Sequence, residues 1–503
     1  MAKFIVVYHR LPFEEAIEEG KPVLREPKSP NGIIPSLRGF FQFFDEGLWL
    51  AWKKVPEPSV GKILPPQTMI VSERKIAVQC VGLSDALVES FYYQTSKSAL
   101  WPILHSFIDR FDYDSADWEK FREVNHHFAN AACAVADPGA TIWIHDYNLW
   151  LVPGYIRVRR PDVRIAFFHH TPFPASDTFG ILPWRKEILE SLLSCDRIGF
   201  HAPRYAENFA SCARAFIKPA VSRTKSFVDA RLQQRGTLLQ ESVYTSSLAV
   251  NQHIVQLDVA PIGVDVKSIS EVAVQSSTRE QATAFRAQLG AEKIIISVGR
   301  IDYTKGTREM LLAFESLLNK RTDLHGKVKL CVTSVAPAAG IRAYDDVRAD
   351  VERLVGSING RFSTADWVPI LFFTTPIGFR ELIAWYLAAD ICWITPLRDG
   401  LNLVVKEYVA TRGAQPSPGG VVLLSEFIGA AIELDEALRT HPYSARSMVK
   451  SIEEAIAMPD EEAARRMGAL YEQVSRYDIK AWTNVVVRML KDGADSGELR
   501  RAS

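Results

Sequence analysis

Two hydrophobic patterns alternate along the chain. Short, nearly continuous apolar runs occur at 4–8, 141–145, 163–168, 194–200 and 257–264, and again at 293–298, 328–333, 368–373, 391–395 and 421–424. Runs of this length, rich in β-branched and aromatic residues, predict strands buried on both faces, the signature of a parallel sheet. Between them lie stretches where apolar positions return every three or four residues, as in Trp118, Phe121, Phe128 and Val135, and at 206–216, 310–318, 381–388 and 406–411. These predict amphipathic helices. Strand–helix alternation in both halves predicts an α/β protein of two Rossmann-like, doubly wound domains facing each other across a cleft. A polar stretch at 218–251, with a Gln-Gln-Arg-Gly turn, reads as a hairpin-like excursion. The expected domains are 1–270 and 271–475, with a helix in 476–503 crossing back to the first.

Length agrees with this division, since 503 residues exceed one ordinary core. The 59 basic and 59 acidic residues cancel, which excludes a general nucleic-acid binder but leaves room for a local basic pocket. Six cysteines lie far apart without a CxxC pair, as expected of reduced thiols in a cytoplasmic protein. No apolar run approaches membrane-spanning length, so no membrane partner is expected.

Candidate chemistry collects where predicted strands end. After 391–395 comes Leu397-Arg398-Asp399-Gly400-Leu401-Asn402-Leu403-Val404-Val405-Lys406-Glu407-Tyr408. Gly400 permits a sharp turn or a close backbone approach, and the following helix N-terminus suits a phosphate. Asp399 and Glu407 would flank it with carboxylates for sugar hydroxyls; a plain helix cap at Asp399 is the competing reading. After 293–298, Arg300 and Lys305 stand five residues apart around a turn ending at Gly306, two cations suited to a diphosphate. This is not a Walker A loop. In the first half, strand ends deliver His145-Asp146 and His169-His170, either ligand groups or hydrogen-bonded core histidines. Adjacent histidines with no acidic or cysteine neighbour make a poor metal site. Arg10 and Ser29-Pro30-Asn31-Gly32 follow the first strand. In the aromatic segment 91–102, Tyr92 and Trp101 keep polar handles for sugar or phosphate oxygens. Asp112-Tyr113-Asp114 has the DxD form of metal-dependent sugar transfer, but a turn before a helix explains it better.

Together, Trp143-Ile144-His145-Asp146-Tyr147, Phe168-His169-His170-Thr171-Pro172-Phe173-Pro174, Arg300 through Gly306 and Arg398 through Tyr408 resemble the retaining GT-B glycosyltransferases of the trehalose-6-phosphate synthase type. Tyr8-His9-Arg10, Ser29-Pro30-Asn31-Gly32, Trp101 through Phe107, His145 through Trp150 and Ile181 through Arg185 look like the branch that makes a glucosylglycerol phosphate. The resemblance implies glucose transfer from ADP-glucose (or UDP-glucose) to sn-glycerol 3-phosphate with retention, as in compatible-solute synthesis, without metal or cofactor. It implies a donor site of Arg300, Lys305, His170, Asp399, the backbone of Gly400, Leu401, Asn402, Leu403 and Val404, and Glu407 at the ribose. It implies an acceptor site of Arg10, Tyr92, Trp101 and Asp146. Arg300, Lys305, Asp146 and His170 would carry the chemistry. The family's further acceptor arginine is expected in the loop Ala336-Pro337-Ala338-Ala339-Gly340-Ile341-Arg342, which is small and apolar there; Arg342 would stand in from a shifted position. A separate phosphatase is implied as pathway partner, and a homo-oligomer is compatible with the family. Two alternatives remain: a trehalose-6-phosphate synthase using glucose 6-phosphate, and a non-catalytic sugar-phosphate sensor on the same fold.

Overall fold

The computed structural model describes residues 2–18, 21–25, 33–41, 47–71, 74–217, 221–226, 239, 241, 243–335 and 342–492. Two compact units divide the chain. Met1–Val228, Glu241–Pro261 and Trp482–Ser503 form the first, and Asp229–Gln240 with Ile262–Ala481 the second. Residues 262–270, expected in the first domain, belong to the second unit, and the chain around that expected boundary is helical in Val266–Ala273 and Ser276–Leu289.

The first unit is built on a ten-stranded sheet. From one edge the order is Val221–Ser226, Val243–Val250, His253–Val259, Arg197–Phe200, Arg164–His169, Ala136–His145, Ala2–Val7, Gly47–Lys54, Arg74–Leu83 and Gln67–Val71. The seven strands from His253–Val259 to Arg74–Leu83 run parallel, and antiparallel partners close both edges. Ala2–Val7 lies between strands reached by opposite chain directions, so the order reverses between it and Ala136–His145. Ligands of open α/β sheets bind at that reversal, beyond the carboxyl ends. Val7 is opposite Ile144, and His145 opposite Phe168, so Arg10, Asp146 and His170 follow neighbouring strand ends.

The second unit holds a six-stranded, wholly parallel sheet in the order Ile370–Phe373, Val328–Val335, Lys293–Arg300, Ile391–Ile394, Val421–Ser425, Leu438–Thr440. Its reversal falls between Lys293–Arg300 and Ile391–Ile394, which sets the turns carrying Lys305 and Asp399 side by side. Helix Thr307–Lys320 buries Met310, Leu311, Phe314, Leu317 and Leu318 against one face, with Ile295, Leu330 and Trp393. Helix Val404–Gly413 buries Val405, Tyr408 and Val409 against the other. Each such side chain contributes about 1.5–3 kcal/mol of transfer free energy, so both site-bearing turns are anchored on dense packing.

Several elements depart from expectation. Strands Gly47–Lys54, Gln67–Val71, Arg74–Leu83 and Leu438–Thr440 were not anticipated, and Glu89–Leu100 is a π-helix continuing into Trp101–Leu104. The 218–251 stretch pairs Val221–Ser226 antiparallel with Val243–Val250. The C-terminal helix is Ile479–Asp492. All six cysteines are free thiols, five of them buried. Among the described residues, no helix is long and apolar enough to cross a membrane.

Candidate active site

In the second unit, Lys305 donates to Asp399 Oδ2 at 2.7 Å, and Asn402 Nδ2 donates to the same oxygen at 3.2 Å. Asn402 takes φ 79°, a left-handed conformation that asparagine tolerates, and its Oδ1 accepts from Val405 N at 3.3 Å. The side chain thus caps the helix that Asp399 was weighed as capping, and Asp399 is left turned toward Lys305. Gly306 also needs its glycine: φ is 66°, and a Cβ there would lie well inside van der Waals contact of the Thr395 carbonyl oxygen. The Lys305 turn and the strand feeding Asp399 are therefore in backbone contact. Leu397 N donates to Thr304 O at 2.7 Å across the same junction.

Arg300 ends its strand, one-third exposed, 3.9 Å from a carboxylate oxygen of Asp302. Asp302 in turn accepts from Thr304 N and Oγ1 at 3.0 and 2.9 Å, holding the turn's shape. Glu407 is half-buried; burial pushes its carboxyl up to about 7, against a 3.2 Å hydrogen bond from the Tyr386 phenol. Lys406, in the same motif, points inward to a buried ion pair with Glu433 at 2.8 Å and the Ile262 carbonyl at 2.8 Å. Its role is to anchor the helix. Residues 336–341 lie outside the described residues, and of Arg342 only its position at the start of helix Arg342–Phe362 is described.

In the first unit, Arg10 Nη2 donates to Tyr92 Oη at 3.1 Å, while its carbonyl accepts from Trp49 Nε1 at 2.9 Å. Trp101 is buried, and its indole Nε1 has no hydrogen-bond partner among the described residues. Asp146 sits at φ 70° and ψ 162°, strained backbone for a residue with a side chain, of the kind that clusters at functional sites. Its amide is tied to Phe168 O at 2.9 Å, and Oδ1 accepts from Tyr147 N at 3.0 Å. Burial lifts its carboxyl to about 6; Lys97 and Arg10 are among the groups that draw it down.

His170 is the middle member of an imidazole chain: His145 Nδ1 lies 3.0 Å from His170 Nε2, and His170 Nδ1 lies 3.2 Å from His201 Nε2. Burial drives His145 and His170 well below the ordinary imidazole value, so both are neutral, each offering one N–H and one acceptor. Asp112 Oδ1 accepts from Ser115 N at 3.2 Å, which makes the DxD a turn. Ser29-Pro30-Asn31-Gly32 lies outside the described residues.

Two residues of this region escaped the sequence reading. His201 carried a usable signal, because Phe200-His201 repeats the strand-then-histidine pattern of Phe168-His169. Lys97 carried a weaker one. It is a lysine in an apolar, aromatic segment, and its Nζ stands 3.8 Å from the Trp101 ring centre and 5.6 Å from that of Tyr92.

The chain is similar to an Escherichia coli trehalose-6-phosphate structure "bound with UDP-2-fluoro glucose", with TM-score 0.83, 27% identity, and 97% and 98% of the two chains covered. With both sheets largely parallel and each site at a strand-order reversal, the chain is a glycosyltransferase of the GT-B fold. Residues 2–492 match Glycosyltransferase family 20. The glucosylglycerol-phosphate synthase of Synechocystis sp. is 45% identical over 97% of both chains. The trehalose-6-phosphate synthase of Mycolicibacterium gilvum is 36% identical over 96% of this chain and 92% of its own. The chain belongs to glycosyltransferase family 20 and is a glucosyltransferase.

Proposed function

We propose that this enzyme transfers glucose from ADP-glucose to sn-glycerol 3-phosphate with retention of anomeric configuration, forming glucosylglycerol phosphate and ADP. The observation that carries the acceptor is the difference in kinship: 45% identity to a glucosylglycerol-phosphate synthase against 36% to a trehalose-6-phosphate synthase, over nearly the same span.

In this reading the second unit holds the donor. Arg300 and Lys305 neutralise the diphosphate as the glycosidic bond breaks, the positive charge that a divalent ion supplies in other transferases. Asp399, oriented by Lys305 and Asn402, accepts hydroxyls of the glucose. The backbone from Gly400 through Leu401, Asn402, Leu403 and Val404 lies along sugar and phosphate at a helix start. Glu407 accepts the ribose hydroxyls. In the first unit Arg10, Tyr92 and Trp101 hold the acceptor phosphate and Asp146 its hydroxyl end, and His170 is that unit's residue for the donor glucose. The leaving phosphate takes the proton of the attacking hydroxyl on the face it departs from, which gives retention without an enzymic nucleophile.

A donor-by-acceptor matrix tests this: ADP-, UDP- and GDP-glucose against glycerol 3-phosphate and glucose 6-phosphate, with nucleotide release as readout. The expected result is highest kcat/KM for ADP-glucose with glycerol 3-phosphate. Higher kcat/KM with glucose 6-phosphate would establish the trehalose-6-phosphate reading, which the solved relative bearing a UDP-sugar favours.

A further inference from the structure

We propose that Lys97 is the second cation of the acceptor phosphate pocket and the residue that selects a short phosphorylated polyol over a hexose phosphate. The inference rests on the acceptor reading above and adds a residue that neither the family motifs nor the sequence pattern singled out.

The π-helix Glu89–Leu100 makes the placement possible. Its hydrogen bonds span five residues, so Trp101 N reaches Ser96 O, and side chains five apart share a face. Tyr92 and Lys97 are five apart, and Trp101 follows four residues later. In an α-helix, residues five apart diverge and Lys97 would turn away from Tyr92. Wide turns of this kind recur at functional sites.

The result is a buried ammonium, 7% exposed, with Nζ 3.8 Å from the Trp101 ring centre, 5.6 Å from Tyr92 and 6.0 Å from Tyr147. Burying an ammonium is costly, and aromatic faces offset part of that cost. Arg10 reaches the same phenol, donating to the Tyr92 hydroxyl at 3.1 Å. Two cations thus border one phenol. Beside them the buried Trp101 Nε1, an obligate N–H donor, has no acceptor among the described residues. A phosphate monoester carries close to two negative charges near neutral pH. It is matched in charge by Arg10 and Lys97, and it supplies the oxygen that the indole lacks.

Selectivity follows from what else Lys97 reaches. Its Nζ also stands 6.0 Å from the ring centre of Tyr147, whose amide holds Asp146 Oδ1 at 3.0 Å, so the ammonium lies between the Arg10–Tyr92 end of the pocket and the Asp146 end. A three-carbon acceptor spans such a pocket with its phosphate on Lys97 and its free hydroxyl at Asp146. A hexose phosphate, whose anomeric hydroxyl is several atoms further from the phosphate, gains less from a cation held beside Tyr147.

The test is Lys97→Met, with Lys97→Gln as a second variant that removes the charge and keeps a polar tip, and Lys97→Arg as the conservative replacement. Expected for both neutral variants is a ten- to hundredfold rise in the KM for glycerol 3-phosphate, the scale of one charged phosphate contact. The donor KM and the slow reaction with free glycerol should stay within about threefold. The kcat/KM ratio of glycerol 3-phosphate to glucose 6-phosphate should fall at least tenfold, and inorganic phosphate should weaken as a competitor of the acceptor. Lys97→Arg should restore part of the loss. An unchanged KM for glycerol 3-phosphate overturns the proposal, and so does an equal loss with free glycerol. A preference of the intact enzyme for glucose 6-phosphate would refute the function and the selectivity together. Phosphate competition in the neutral variants would then still decide whether Lys97 holds the phosphate.

Discussion

Glu407 offers a quantitative check on the donor site. Its carboxyl is raised to about 7 by burial, and the proposed role, accepting ribose hydroxyls, needs the carboxylate. With that pKa, the ionised fraction is roughly 90% at pH 8 and roughly 3% at pH 5.5. If only the ionised form takes the donor, kcat/KM for ADP-glucose at saturating glycerol 3-phosphate should drop about thirtyfold across that range. The donor's diphosphate does not titrate there, and initial rates of ADP release measure the profile. Two variants assign the inflection. Glu407→Gln should give a lower profile that lacks the inflection near 7 and keeps only the titration of Asp146 near 6. Tyr386→Phe removes the phenol that favours the carboxylate and should move the inflection to higher pH. Folding stability runs the other way. Between about 7 and 4.5 the folded chain binds a proton at Glu407 that the unfolded chain does not, so this group stabilises the fold increasingly as pH falls through that window. A flat profile in the intact enzyme, or the same inflection surviving in Glu407→Gln, would refute the assignment.

Other expectations bear on the remaining charges. Arg300→Ala and Lys305→Ala should each lower kcat by on the order of a hundredfold at saturating donor, the scale for losing one preorganised charge stabiliser, with the circular-dichroism melt little changed; near-normal turnover in either would remove that residue from the leaving-group site. Arg10→Ala should raise the glycerol 3-phosphate KM about ten- to a hundredfold and leave the donor KM unchanged. If it harms the free-glycerol reaction equally, Arg10 is structural, its guanidinium serving to hold the Tyr92 hydroxyl.

Much of the strand framework was legible because a parallel strand buried on both faces writes itself as an unbroken apolar run, as in residues 293–298 and 391–395. The runs at 194–200 and 368–373 overreached, since only Arg197–Phe200 and Ile370–Phe373 enter the sheets. Gly47–Lys54 and Arg74–Leu83 hid for the converse reason. Lys53, Lys54, Lys75 and Gln79 interrupt them, and pairing with distant strands makes them regular. The Lys305–Asp399 pair was foreseeable as two turns at one sheet edge, but its contact depends on strand order, which no local pattern encodes. The wide helix at Glu89–Leu100 was illegible: a five-residue hydrogen-bond span is imposed by what the segment packs against, and Lys97 became visible only once that span was known.

Trp482 returns the chain to the first unit, donating its indole N–H to Ala260 O at 3.0 Å and packing against Phe40, Trp143 and Phe168. Its predecessor in that unit, Pro261, is separated from it by Ile262–Ala481, the whole main segment of the second unit. On the ribosome, at roughly 5–20 residues per second, about 220 residues must be made before the indole arrives, a wait of roughly 10–45 s. Throughout that interval the aromatic wall behind the His145–Asp146 edge stands open. The first unit, which includes strand Ala2–Val7, therefore gains Trp482 only after the main segment of the second unit has been made.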